Sequence, residues 1–322
     1  MKMQNRIKRA VKTVAFGVAL PAMSMLLLVG CQKESWNTVP QGFRLSASMP
    51  STRLALEDDH STVEWLSSDC LFLVPVKQKY AGEYPYTLKL DPKSLADHNT
   101  HADFVYDKFY TATGWNRGRD LPEGEYDVVY ADPRLDIMVT MSTADSLVFT
   151  NSLLSVIDTY NPHGLLSATM FSPGTIRVDR SGRVGAVGLR HTCAMIGMPI
   201  MLESNGTGQE VYLDSVRIVA KEGNAPFPAF MHIDRKNKSK EDFYAYRAEL
   251  KRYWRIPVKM DVGESVFAHI VAFPTETGDV TVSVFVHLED GTKRSFDFER
   301  PSKKLEAGYH YDVEIKRLNI TE

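Results

Sequence analysis

Cysteine is scarce. The 322-residue chain has three, Cys31, Cys70 and Cys193. Such a chain has no disulfide framework, so its stability has to come from a packed core. With 43% hydrophobic residues it has the material for one. Cys70 and Cys193 are far apart in sequence and each sits in an apolar run, which reads as two buried free thiols rather than a bridge. Long hydrophobic runs are missing after residue 30, so no further helical membrane span is expected. A basic surplus is missing too. The first 30 residues hold five of the 38 basic side chains and none of the 40 acidic ones, so 33 basic face 40 acidic residues in the remaining 292, a formal −7. That argues against a nucleic-acid partner. The local signatures of common chemistry are also absent. No G-x-S-x-G, H-E-x-x-H, G-K-[ST] or G-x-G-x-x-G occurs, and no catalytic residue, metal or cofactor is expected.

The N-terminus is informative. Lys2, Arg6, Lys8, Arg9 and Lys12 form a basic segment without acidic residues. Residues 14–29 are apolar, contain Pro21, and have the length of a signal-peptide core; for a spanning helix they are marginal. Small Gly30 before Cys31 suits a signal peptidase. Leu28-Val29-Gly30-Cys31 resembles the lipobox of bacterial lipoproteins. The resemblance implies cleavage between Gly30 and Cys31, lipid on Cys31, and attachment to outer-membrane lipid. An uncleaved N-terminal anchor is the alternative. Residues 1–30 are therefore read as signal peptide and 31–41, polar with Pro40, as a tether. Lys33-Glu34 faintly resembles a surface-export signal.

From residue 42 onward the pattern is β. Phe43, Leu45 and Ala47 alternate with polar residues, the period of a strand with one buried face. Similar short runs recur at regular spacing to the alternating Tyr309, Tyr311, Val313 and Ile315, which argues for an all-β chain of sandwiches with a few short helices. Pro173-Gly174 marks the expected boundary between an N-terminal sandwich, 42–173, and a C-terminal one, 174–322. Residues 239–254 read as the best helix, with Phe243, Tyr246, Leu250 and Tyr253 at helical spacing, Arg247, Lys251 and Arg255 on another face, and Pro257 ending it. Residues 146–160 are ambiguous; Leu153, Leu154 and Ile157 suit a short helix. Pro226 and Pro228 point to an edge or loop over 225–231. Asp290-Gly291 is a hairpin signal.

Candidate sites are few. The aromatic stretch holding Tyr110, Trp115 and Arg117 has the residue types that favour an interface with host glycan or protein; an aromatic loop folded onto its own domain edge is the bland alternative. His98, His101 and Asp103 lie close in sequence but in a loop-like stretch, and His191 with Cys193 reads as a core pair. Gly182, Gly185 and Gly188 suit turns and close strand packing.

Taken in order, several short pieces are similar to the fimbrillin-like lipoproteins of anaerobic bacteria. They are Phe43-x-Leu45-x-Ala47 followed by Ser51-Thr52-Arg53-Leu54-Ala55, then Trp65-x-x-x-Asp69, then Leu121-Pro122-x-Gly124-x-Tyr126 with Asp132-Pro133. Leu165-Leu166-x-Ala168, Leu189-Arg190-His191-x-x-Ala194 and Leu305-x-Ala307-Gly308-x-x-Tyr311 continue the series, with Gly164 where the family usually has Asp. The resemblance implies two tandem transthyretin-like β-sandwich domains and a place in surface fimbriae among other fimbrial subunits. It also implies proteolysis after an Arg near the start, here Arg53 or else Arg44, and filling of the vacated groove by a neighbour's strand. Little tail follows the last strand, which favours a tip, anchor or accessory subunit over a stalk. A surface lipoprotein that binds glycan or host protein without polymerising is the other reading.

Overall fold

Period-2 alternation predicts strands, and strands are nearly all that forms. A computed structural model describes residues 43–48, 65, 69–77, 86–95, 101–111, 114–116, 121–130, 143, 145–150, 154–157, 169–179, 183–221, 223–315 and 317–321. They hold 23 strands and a single 3-10 turn at Pro92–Ser94. No helix among them is long and apolar enough to cross a membrane. The chain is all-β and sandwich-like.

In chain order the strands begin with β1 (Arg44–Ser48), β2 (Cys70–Pro75), β3 (Tyr86–Leu90), β4 (His101–Thr111), β5 (Gly114–Asn116), β6 (Gly124–Tyr130), β7 (Ser146–Thr150) and β8 (Leu154–Ile157). Next come β9 (Met170–Val178), β10 (Arg183–Gly188), β11 (Arg190–His191), β12 (Ala194–Asn205), β13 (Val211–Ala220), β14 (Phe227–Asp234), β15 (Glu241–Arg247) and β16 (Glu249–Met260). The series ends with β17 (Ser265–Ala272), β18 (Thr275–Glu276), β19 (Val280–Leu288), β20 (Lys293–Arg300), β21 (Lys304–Leu305), β22 (His310–Asp312) and β23 (Leu318–Ile320).

The first sheet runs β10-β1-β4-β3-β2-β6-β9-β11, with β5 on β4. It curls: Leu45 and Ala47 from β1, Val187 from β10, and Ile176 and Val178 from β9 share one core with Leu71, Leu88, Phe104 and Val128. Trp65 is fully buried in that core and meets Phe104 and Tyr130 edge-on at 4.9 and 5.6 Å. The Tyr130 hydroxyl donates to Asp69 at 3.1 Å, and the Tyr126 hydroxyl donates back to the Pro122 carbonyl at 2.8 Å. Aromatic residues with a polar tip thus bury their rings and still satisfy their hydroxyls.

Strand β2 is buried on both faces, which explains its unbroken apolar run. Leu71 and Leu73 face the first core, whereas Cys70, Phe72 and Val74 face a second one. There they meet Val129 and Phe171 of the same sheet, Leu147 and Phe149 of β7, Met231 and Ile233 of β14, and Cys193, Val271 and Phe273. The β7 and β14 residues belong to a three-stranded sheet, β15-β14-β7. A third core lies between the sheet β20-β19-β13-β16-β8 and the sheet of β17, β12, β22 and β23, and contains Ile196, Met198, Leu213, Val216, Ile270 and Val284. The expected boundary at 173/174 falls inside β9, which pairs with β6 from Met170 to Val178; β10 and β11 still belong to the first sheet.

The expected helix over 239–254 does not form. Those residues make β15 and β16. Leu250, Arg252 and Trp254 are buried at alternate positions, so the period that wins is 2, and the aromatic residues of the segment favour it. Arg247, Lys251 and Arg255 therefore share no helix face. Pro257 sits in a bulge, since β13 advances from Leu213 to Ser215 while β16 advances from Val258 back to Tyr253. Residues 225–231 are an edge at the proline, as expected, and become interior only from Phe230. β14 pairs β15 on one side and β7 on the other, but β7 joins only from Phe230, so Pro228 lies where β14 has a single partner. Residues 154–157 are strand β8, parallel to β16, not helix. The Asp290-Gly291 hairpin joins β19 to β20, with Gly291 at φ 86°.

Candidate functional site

Strand β1 is the first described element, and it lies inside its sheet. It runs antiparallel to β4, with Leu45 opposite Phe104 and Ala47 opposite Ala102, and parallel to β10, with Leu45 opposite Val184 and Ala47 opposite Val187. Both its edges are therefore hydrogen-bonded. The ladder extends at its ends, where the Tyr106 amide donates to the Phe43 carbonyl at 3.2 Å and the Leu189 amide to the Ser48 carbonyl at 3.3 Å. Phe43, Leu45 and Ala47 are buried, at 1% exposure or less. The outer side chains are polar. Arg44 lies 3.2 Å from Asp91 and 3.7 Å from Asp103, and Ser46 donates to Asp103 at 2.5 Å. Asp103 is itself placed by its backbone amide, which donates to Ser94 Oγ at 2.7 Å.

The expected site residues fall as follows. Arg44 is a strand residue of β1, its side chain 56% exposed. Arg53, Gly30, Cys31 and Arg117 lie outside the described residues. Tyr110 of β4 and Trp115 of β5 are directly paired in the hairpin ladder, so the aromatic stretch is a β-hairpin rather than an open loop. Asp103 joins the β1 surroundings, His101 starts β4, and His98 lies outside the described residues. His191 and Cys193 are core residues, 3% and 5% exposed. Burial pushes the His191 imidazole down to about 4 and the Cys193 thiol up. Both Cys70 and Cys193 are free thiols, and they share one core. Among the described residues no group of three or more metal-ligating side chains is poised to hold an ion.

One cluster escaped sequence reasoning. Asp127 of β6 is completely buried, with Arg235 Nε 2.6 Å from its Oδ2 and Lys238 Nζ 2.6 Å from its Oδ1. The guanidinium also donates to the carbonyls of Thr143, Val74 and Pro75 at 2.8, 3.0 and 2.6 Å, and Lys238 donates to the Ser172 carbonyl at 3.0 Å. The turn between β14 and β15 is thereby tied to β2, β6 and β9. A carboxylate amid the apolar residues of β6 was the available signal, but the composition of 235–238 looks like an ordinary solvated turn.

No family model and no curated protein matches the chain. Solved structures do. A protein from Bacteroides ovatus ATCC 8483 assigned to cell adhesion is 12% identical, with 87% of this chain and 92% of that one covered and a TM-score of 0.44. Another from Bacteroides fragilis NCTC 9343, also assigned to cell adhesion, is 10% identical over 88% and 94%, with a TM-score of 0.47. A fimbrial protein from Bacteroides vulgatus ATCC 8482 is 9% identical over 85% and 95%, with a TM-score of 0.35.

Proposed function

We propose that this chain is a surface-exposed, non-enzymatic lipoprotein of the outer membrane, tethered through lipid on Cys31, and that it serves as a fimbrial subunit in cell adhesion. It joins neighbouring subunits by β-strand addition. The single observation that supports assembly in this way is the placement of β1, the first described strand yet interior to its sheet. Excision of that strand leaves two facing backbone edges, on β4 and β10, and an apolar trough where Phe43, Leu45 and Ala47 lay. An incoming strand regains main-chain hydrogen bonds on both sides and fills the trough with alternate side chains. Phe43 and Leu45 alone account for roughly 1.5–3 kcal/mol each of burial that a replacement strand can recover.

Cleavage at Arg53 suits this reading better than cleavage at Arg44. A protease needs an extended, detachable backbone, and Arg44 is held in a two-sided ladder with its guanidinium beside Asp91 and Asp103. In this reading the first domain closes with β11 and the second begins with β12, each a sandwich.

Mass spectrometry of the N-terminus, on protein recovered from cells, tests the proposal. A mature chain starting at Leu54 in assembled fimbriae, and at lipidated Cys31 before assembly, is the expected result. Assembled protein that keeps β1, or protein that neither reaches the surface nor travels with fimbriae, overturns it.

A further inference from the structure

Strands β9 and β10 follow one another in the chain but do not pair with each other. β9 pairs with β6 along its length and with β11 only at Met170 and Phe171. β10 pairs with β1 alone among the described residues. Each therefore has an open edge among them, β9 from Pro173 onward and β10 throughout. The curl of the sheet brings the two strands together, with Ile176, Val178 and Val187 in one core. Between them lies a cleft of about 480 Å³, lined by residues 172–177 and 184–188. Both walls reach solvent. Pro173, Gly174, Thr175 and Arg177 are exposed on one, and Gly185, Ala186 and Gly188 on the other.

We propose that this cleft takes up an extended segment of another protein as an added strand, between β9 and β10, while β1 stays in place. The lining decides the class of occupant. Arg177 is its one charged residue, and Ser172 and Thr175 are its only hydroxyls; the rest are glycine, alanine, proline, valine and isoleucine. Too few side-chain groups converge there to orient a sugar, a nucleotide or a metal ion. What both walls offer is main chain. The N–H and C=O groups of an open edge are a template for a further strand, and an extended polypeptide is the ligand that meets two such edges at once.

The same residues set the chemistry of that segment. β10 is six residues long, so the fitting stretch is about as long, roughly 20 Å. Its side chains alternate between the two faces. Those turned inward meet Ile176 and Val187 and are apolar. Those turned outward are polar, and one of them is a carboxylate, because Arg177 has no ion-pair partner among the described residues. The walls leave room for them, since a Cβ built on Gly174, Gly185 or Gly188 meets nothing within 4 Å. Binding here requires no loss of β1.

The test uses the full, uncleaved chain purified in detergent, so its outcome is separable from strand replacement at β1. The probe is the acetylated and amidated peptide Val-Thr-Val-Glu-Val-Thr-Val, followed by fluorescence anisotropy and by hydrogen–deuterium exchange of the protein. Saturable binding is expected, with exchange slowed over residues 172–178 and 183–188. Exchanging the glutamate for lysine should weaken binding roughly fivefold, and Arg177→Glu, an exposed change, should reverse that preference. Gly185→Leu with Gly188→Leu fills the cleft without a clash at either Cβ and should abolish binding at an unchanged melting temperature. Failure of the probe to bind, protection elsewhere, or binding that neither Arg177→Glu nor the double variant alters overturns the proposal. Self-association of the chain that the double variant abolishes would make a second copy the occupant and overturn it too.

Discussion

Removing the Asp127 carboxylate should be among the most damaging single changes in the chain. The side chain is 0% exposed and sits between Arg235, 2% exposed, and Lys238, 9% exposed. In Asp127→Ala two cations stay behind without a counter-charge. Arg235 keeps its three carbonyl partners but cannot reach water, because Thr143, Val74 and Pro75 hold it from other directions. Lys238, a little more exposed and with one carbonyl partner, can swing outward and relieve part of the strain. Breaking a buried pair by removing one partner costs about 3–5 kcal/mol, and the Lys238 escape places this case near 3. Against a total stability of roughly 5–15 kcal/mol that is a large share. Asp127→Asn should lose most of the same amount, because the shape survives and the charge does not. Replacing all three together by Asp127→Leu, Arg235→Met and Lys238→Leu should recover near-parental stability, since a well-packed apolar cluster often matches a buried ion cluster. Urea unfolding of a form starting at residue 32, followed by tryptophan fluorescence and circular dichroism, measures each value. A loss under about 1 kcal/mol for Asp127→Ala, with an unchanged m-value, would refute the reasoning.

Three further outcomes are expected. Leu45→Asp places a carboxylate in the fully buried trough between β4 and β10 and should cost at least about 3 kcal/mol, while Ser48→Thr nearby should cost under about 0.5; equal melting temperatures for the two would count against β1 as an interior strand. Cys70 and Cys193 should resist a thiol reagent in the native protein and react fully in denaturant, because both are buried and burial raises the Cys193 pKa; prompt native reactivity would contradict their placement. The pH dependence of His191 has a definite sign. Its folded pKa, about 4, lies below its unfolded value near 6.5, so the unfolded chain takes up the proton first as pH falls. The stability is intact above about pH 6.5 and declines toward pH 4 by about 3 kcal/mol. His191→Phe should flatten that part of the profile, and parallel wild-type and variant curves from pH 7 to 4 would speak against it.

Legibility followed local physics. Strand content and the 288–292 hairpin come from short-range pattern, and each appears where expected. The helix over 239–254 failed because its aromatic residues satisfy a 3.6 and a 2 period at once over so short a span, and only neighbours on both sides of β16 select the second. Pro228 was legible as an edge position, although the strand it belongs to becomes interior two residues later. Proline forbids a second ladder partner only at its own position, and no local signal tells where β7 begins to pair. Arg190 and Glu241 come from widely separated segments, so their pairing has no sequence signature.

The sequence by itself determined that this chain is β-rich, acidic after residue 30, short of cysteine, and led by a lipobox-like Leu28-Val29-Gly30-Cys31. Composition and a two-residue period suffice for those, because each depends on neighbours a few positions away. Tertiary structure alone decided that β1 is an interior strand, that β2 is buried on both faces, and that Asp127 is neutralised by two cations from a distant turn. Those outcomes depend on which strands lie side by side, a choice made by long-range burial and pairing rather than by any residue's own preference.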